Sequence, residues 1–133
     1  FGFKYLARVN IYNLYLHACF FTNHLNLAVT AMANPEIQNF IKNAVSQDKV
    51  VVFSKTYCPY CKLAKDIFQK INQPMKVIEL DEREDGNAIQ DNLASITGFR
   101  TVPQVFINGN CVGGGSDVQA LHKAGKLEPM LIG

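Results

Sequence analysis

The chain has 133 residues, enough for one domain with a hydrophobic core of its own and too few for two of ordinary size. It is 48% hydrophobic and 18% charged, and its four cysteines are too sparse for a fold built on disulfide bonds. The formal net charge is +2, but Lys4 and Arg8 stand in an acid-free first stretch, so residues 34–133 carry as many basic as acidic side chains. That balance argues against the clustered basic surface typical of nucleic-acid binding.

The first 33 residues differ in composition from those that follow. Apolar residues are frequent here, but polar residues interrupt them. The stretch therefore lacks the uninterrupted run of about 18 apolar residues that would predict a membrane-spanning helix. Three interpretations stay open: a weak secretory signal ending in Ala31-Met32-Ala33, an organelle transit segment, or upstream sequence foreign to the natural protein. We expect residues 1–33 to be a poorly ordered extension of residues 34–133. The expected location is cytoplasmic, or an organelle or the secretory route if the extension is a genuine targeting segment.

From Asn34 onward, helical and strand patterns alternate. Asn34-Pro35-Glu36 is typical of a helix start, and Val50–Phe53 is a β-branched run that predicts a buried strand. Asn108-Gly109 between two apolar runs predicts a hairpin turn. The predicted segments are a helix over 35–46, a strand over 50–53, a helix over 59–71, a strand over 76–80, an acidic loop over 81–86, a helix around 88–96 that ends at Gly98, a hairpin of strands 104–107 and 110–112, a helix through Leu121 and a short one over 127–132. This order predicts an α/β domain with helices on both faces of a small sheet.

Two cysteines, Cys58 and Cys61, lie three residues apart where a strand meets a helix. A cysteine at a helix N-terminus faces unpaired backbone N–H groups and the positive end of the helix dipole, which favour its thiolate. Lys55 and Lys62 add positive charge nearby. Since the thiolate is the reactive form, this environment predicts that Cys58 is a nucleophile.

Such a pair also occurs in zinc sites and structural disulfides. Zinc would need two more ligands, and neither Cys111 nor the histidines supply a second pair at ligand spacing. A bridge between Cys58 and Cys61 closes so small a loop that it would constrain the unfolded chain little. A working redox pair is therefore the favoured interpretation, and no metal is expected.

Three separated motifs carry a family resemblance: Cys58-Pro59-Tyr60-Cys61 preceded by Lys55, then Thr101-Val102-Pro103, then Gly113-Gly114-Gly115-Ser116-Asp117. In this order they resemble the motifs of dithiol glutaredoxins, over about residues 35–133. The resemblance implies a thioredoxin-like fold, with a small four-stranded mixed sheet flanked by helices on both faces. It implies an enzyme that uses glutathione to reduce protein–glutathione mixed disulfides and protein disulfides, with Cys58 as nucleophile and Cys61 as resolving cysteine.

The resemblance also implies a glutathione site. Lys55, Gln90 and Arg100 are candidates for the glycine carboxylate, through charge-assisted hydrogen bonds. The backbone of Val102, beside a cis Pro103, would hold the cysteinyl part as an added strand would, and Thr101 belongs to the same motif.

The other end of glutathione would lie against the last long helix. Backbone amides of Ser116 and Asp117 suit the γ-glutamyl carboxylate, and the Asp117 carboxylate suits the ammonium group. Tyr60 would border the groove that binds the substrate. Plainer roles stay open: Asp117 as a helix cap, Arg100 as a solvated loop residue, and Cys111 as a small core residue.

A second function stays open as well. Some glutaredoxins bridge a [2Fe–2S] cluster between two subunits and carry clusters rather than reduce disulfides. Pro59 counts against this here, because its ring stiffens the helix start. The expected partners are glutathione, glutathionylated proteins and disulfide substrates, without nucleic acid or membrane, and the protein is expected to be a monomer.

Overall fold

A computed structural model describes residues 34–132, and the structural statements below concern that part of the chain. The interpretations of residues 1–33 lie outside it. The elements are α1 (Pro35–Gln47), β1 (Val50–Ser54), α2 (Pro59–Lys70), β2 (Lys76–Glu79), a 3₁₀ turn (Leu80–Glu82), α3 (Gly86–Thr97), β3 (Gln104–Ile107), β4 (Asn110–Gly113), α4 (Gly115–Lys123) and α5 (Leu127–Leu131). None of these helices is long and apolar enough to cross a membrane.

The sheet has four strands in the order β2-β1-β3-β4. β1 is parallel to β2 and antiparallel to β3, and β3 is antiparallel to β4. The predicted α/β class and the four-stranded mixed sheet of a thioredoxin-like fold are thereby confirmed. Because β1 and β2 are parallel, their C-terminal ends lie side by side, and the segments that follow them begin close together.

β1 is buried along its whole length, as its β-branched sequence predicts. Val50 and Val52 face a core formed with α2, α4 and α5, which includes Phe68 and Leu127. Alternate side chains of β1 face a second core formed with α1 and α3 on the opposite side. Packing on both faces fixes the end of β1, and the two cysteines follow it.

Several element ends differ by one residue from the sequence prediction, and the end of β2 and the start of α3 differ for an identifiable reason. β2 ends at Glu79 rather than Leu80, because the buried Leu80 side chain joins the core from within the 3₁₀ turn. α3 begins at Gly86, inside the predicted acidic loop, and there an added Cβ would lie only 1.8 Å from the Leu80 carbonyl oxygen. Glycine therefore lets this helix start directly against the turn. The hairpin turn is confirmed, since Asn108 and Gly109 both have positive φ.

Candidate active site

Cys58 is the N-cap residue of α2, with Pro59 at the first helical position. Its sulfur accepts a hydrogen bond from the Cys61 backbone N–H at 3.3 Å. The sulfur is half-buried and lies 3.8 Å from the Val102 carbonyl oxygen. A negative charge on this sulfur would thus be stabilised by an orphan amide and by the helix dipole.

Cys61 has different surroundings one helical turn further on. Its side chain is fully buried, and its sulfur accepts a hydrogen bond from the Lys55 backbone N–H at 3.4 Å. Burial first, and then the neighbouring Cys58 sulfur, raise the pKa of the Cys61 thiol to about 11. Cys61 therefore stays protonated at neutral pH while Cys58 occupies the helix cap.

A tight turn connects the end of β1 to Cys58. The Cys58 backbone N–H donates to the Lys55 carbonyl at 3.1 Å. Lys55 itself is half-buried, whereas the Tyr57 and Tyr60 side chains on either side of Cys58 are 72% and 60% exposed. Lys62, expected to add positive charge here, pairs at 2.7 Å with Asp66, which offsets part of that charge.

The turn is also tied to the segment after β2. The Asp81 carboxylate accepts the Thr56 backbone N–H at 3.0 Å and also the Thr56 hydroxyl. These two bonds are the main reason that the pKa of Asp81 lies below its ordinary value. The sequence prediction assigned no role to either residue.

The predicted cis bond precedes Pro103, which is buried at the start of β3. The loop leading to it is anchored by two buried amide side chains. Gln104 donates to the Phe99 carbonyl at 2.7 Å, and Gln90 donates to the Arg100 carbonyl at 2.9 Å. Gln90, predicted to contact glutathione, thus uses its amide on the backbone of this loop.

Arg100 is exposed, and its guanidinium pairs with Asp91 at 2.8 Å. Thr101 is exposed beside it. Binding of a ligand carboxylate by Arg100 would have to share or replace the Asp91 contact. The roles of Gln90, Arg100 and Thr101 in ligand binding stay predictions.

The N-terminus of α4 lies against the N-terminus of α2. A Cβ on Gly115 would lie 2.6 Å from the Tyr60 carbonyl oxygen, so glycine permits this close approach. Asp117 accepts the Gly114 backbone N–H at 2.8 Å, which is the capping role left open from the sequence. Ser116 and Asp117 are exposed, and the first-turn amides of α4 suit an anionic group.

Three predicted groups of site residues therefore meet around Cys58: the turn at Lys55, the loop at Val102-Pro103 and the start of α4. Cys111 lies in β4, half-buried against the core with α1 and α3, and it is not part of this group. No cluster of three or more metal-binding side chains occurs within residues 34–132.

A family model, known proteins and a solved structure all match this chain, and all of them belong to one family. The glutaredoxin family model matches residues 50–112. Glutaredoxin-C4 of Arabidopsis thaliana is 48% identical over 107 residues, covering 80% of this chain and 78% of that protein. Mitochondrial glutaredoxin-2 of Pongo abelii is 50% identical over 93 residues, covering 70% of this chain and only 58% of that longer protein. A crystal structure of a buckwheat glutaredoxin–glutathione complex is similar with a TM-score of 0.69 and 43% identity, covering 74% of this chain and 94% of that one.

Proposed function

Because this chain belongs to the glutaredoxin family, we propose that it reduces protein–glutathione mixed disulfides, and also protein disulfides, through Cys58. Glutathione-dependent thiol–disulfide exchange is the general activity of the family. The finer assignment rests on one observation: the half-buried Cys58 sulfur caps a helix, while the Cys61 thiol is buried with a pKa raised to about 11.

The first step is attack of the Cys58 thiolate on the glutathione sulfur of a mixed disulfide. The Cys58–glutathione bond forms, the bond to the substrate protein breaks, and the protein thiolate leaves with the electron pair. The Cys61 amide and the dipole of α2 stabilise the charge that Cys58 carries before the attack. A second glutathione thiolate then attacks the bound glutathione, which releases oxidised glutathione and regenerates Cys58.

Protein disulfides take a second route. Cys58 attacks one sulfur of the substrate, and Cys61 then displaces the substrate thiol to form a Cys58–Cys61 disulfide, which two glutathiones reduce. Cys61 must lose its proton before it attacks, and the burial of its thiol, which raises its pKa, opposes that loss. We therefore propose that deglutathionylation is the faster of the two activities.

The charges around Cys58 support glutathione as the co-substrate. Lys55 in the turn before Cys58 suits one carboxylate, and the first-turn amides of α4, which begins against the start of α2, suit the γ-glutamyl carboxylate. The Val102 backbone beside the Cys58 sulfur suits the cysteinyl part between them. A thiol compound with an anion at each end matches this order of groups.

Separate substitution of the two cysteines tests the proposal. Cys58→Ser should abolish both activities, because a serine hydroxyl is hardly ionised near neutral pH. Cys61→Ser should lose the route through the internal disulfide but keep deglutathionylation, since glutathione itself resolves the Cys58 mixed disulfide. The measurement is turnover of a glutathionylated peptide coupled to glutathione reductase, with reduction of a protein disulfide as the second assay.

Cys111→Ser is the matched control, because it removes a thiol outside the site. Its activities should equal those of the unmodified protein. Equal loss of deglutathionylation in the Cys58 and Cys61 variants would contradict the assigned roles.

A further inference from the structure

We propose that Asp81 is a positioning residue that holds the turn carrying Lys55 and Cys58, acting through Thr56; the inference rests on the function proposed above. Asp81 accepts both the backbone N–H and the hydroxyl of Thr56. It touches no reacting atom, so any effect on catalysis passes through the turn.

The strand register explains how two residues 25 positions apart meet. In the parallel pair of β1 and β2, Ser54 lies opposite Glu79. Continuing this register by two residues beyond each strand places Thr56 opposite Asp81. Both residues lie past the end of their strands, where ladder hydrogen bonds no longer hold the backbone, and a side-chain carboxylate takes over that role.

The remaining contacts of the turn show why this anchor matters. The Lys55 carbonyl accepts from Cys58, and the Lys55 N–H donates to the buried Cys61 sulfur. Both contacts hold the turn from the side of α2. The exposed Thr56 at the other side is held by Asp81, so the segment is fixed both to α2 and to the 3₁₀ turn that follows β2. Without Asp81 the turn would lose both hydrogen bonds of Thr56 and keep only those of Lys55.

The negative charge of the Asp81 carboxylate strengthens its hydrogen bonds to Thr56. The two Thr56 bonds, and to a smaller extent the Lys55 ammonium, keep the pKa of Asp81 below its ordinary value, so its carboxylate is ionised at neutral pH. Hydrogen bonds to an ionised acceptor are stronger than those to a neutral one. At neutral pH Asp81 is thus a charged acceptor near the proposed glutathione ligand Lys55.

The test uses Asp81→Ala, Asp81→Asn, Thr56→Val and the double variant Asp81→Ala/Thr56→Val. Glu82→Ala, which removes the neighbouring exposed acid of the same 3₁₀ turn, is the matched control. Two quantities are measured on each protein after thermal unfolding has confirmed that it is folded at the assay temperature. They are kcat and KM for a glutathionylated peptide, and the rate at which iodoacetamide alkylates Cys58.

We expect Asp81→Ala to lower kcat/KM about tenfold, since small displacements of a reacting group carry losses of this order. Alkylation of Cys58 should also slow, because a loose turn lets the sulfur leave the helix cap. Asp81→Asn should recover most of both rates: an amide can accept from the Thr56 N–H and donate to its hydroxyl. The double variant should be no worse than Asp81→Ala, because Asp81→Ala already removes both bonds, including the hydroxyl bond that Thr56→Val removes.

Several results would overturn the proposal: wild-type rates in a folded Asp81→Ala protein, additive losses in the double variant, or an equal loss in Glu82→Ala. The proposal would also be overturned if Asp81→Asn were as impaired as Asp81→Ala. The charge of Asp81, and not its hydrogen bonds to Thr56, would then explain the loss. If the unmodified protein failed to deglutathionylate, the proposed function would fall. Alkylation, which needs no glutathione, would still decide the role of Asp81.

Discussion

Cys58 and Cys61 are the same residue type, but the fold places their sulfur atoms in different surroundings. The Cys58 sulfur is half-buried and accepts an amide hydrogen bond at the start of a helix, while the Cys61 sulfur is fully enclosed. Enclosure disfavours the charged form of a thiol, which is why the pKa of Cys61 rises to about 11. The difference arises within a single turn of α2.

This raised pKa predicts a loss of stability at alkaline pH. In the unfolded chain the Cys61 thiol ionises near its ordinary pKa of 9.0, whereas the folded protein holds the proton until about pH 11. Between these values the folded state binds more protons than the unfolded state, so the free energy of unfolding falls as pH rises. The full loss is at most about 2–3 kcal/mol, from the two-unit difference in pKa.

Denaturant unfolding under reducing conditions, at pH 8 and at pH 10.5, measures this loss. The control is Cys61→Ala, in which the thiol is absent while lysines and tyrosines titrate as before. The stability of the unmodified protein relative to Cys61→Ala should be lower at the higher pH. An unchanged difference would contradict the assignment of the buried thiol.

At the scale of elements, glycines set how closely the helices approach the site. Gly115 lets α4 begin against the Tyr60 carbonyl, and Gly86 lets α3 begin against the Leu80 carbonyl. In both places the nearest atom is backbone, so the neighbour cannot move aside by changing a rotamer. The two helices are therefore held close to the segments that carry Cys58 and Asp81.

Gly115→Ala should force α4 away from α2. A Cβ 2.6 Å from a carbonyl oxygen is an overlap, and relieving such overlaps costs about 1–3 kcal/mol of unfolding free energy. The displaced helix should also raise the KM for glutathione, since its first-turn amides belong to the proposed site. Urea unfolding and steady-state kinetics measure the two effects.

Gly114→Ala is the matched control for this prediction. Its φ of −100° suits any residue, and its Cβ would lie 3.5 Å from the Pro103 carbonyl oxygen, an ordinary contact. It should lower stability far less than Gly115→Ala. Equal effects at the two positions would show that close packing on Tyr60 is not the cause.

Much of this architecture could be predicted because its signals are local. Asn108-Gly109, the β-branched Val50–Phe53 and the pair Cys58/Cys61 each carry their meaning within a few neighbouring residues. The contact between Asp81 and Thr56 could not be found in this way, because it depends on the register of two strands. The pairing of Arg100 with Asp91 likewise joins a loop to a helix nine residues earlier, and no periodic pattern predicts it.

For the whole molecule we predict a colourless monomer. Pro59 stiffens the start of α2 at the residue between Cys58 and the exposed Tyr60, which disfavours the rearrangement that a bridging cluster between two subunits would need. Protein purified without oxygen, in the presence of glutathione, should sediment as a monomer and show no visible absorbance. Pro59→Gly is the control that removes the ring and keeps both cysteines.

A brown dimer of the unmodified protein would contradict this prediction and favour the cluster-carrying alternative. A brown dimer formed only by Pro59→Gly would identify the ring as the reason. A colourless Pro59→Gly protein would mean that other features also prevent cluster binding.

The sheet order has a consequence for the protein during its synthesis. β1 and β2, with α2 between them, leave the ribosome early, but β3, which inserts beside β1, follows more than 20 residues after β2. The loop at Val102 emerges just before β3, and the start of α4 emerges after it. A nascent chain that has just exposed Cys58 and Cys61 thus carries two thiols without the Val102 backbone and the α4 amides of the proposed glutathione site. Until β3 arrives, those thiols meet every oxidant in the cell with no built-in preference among them.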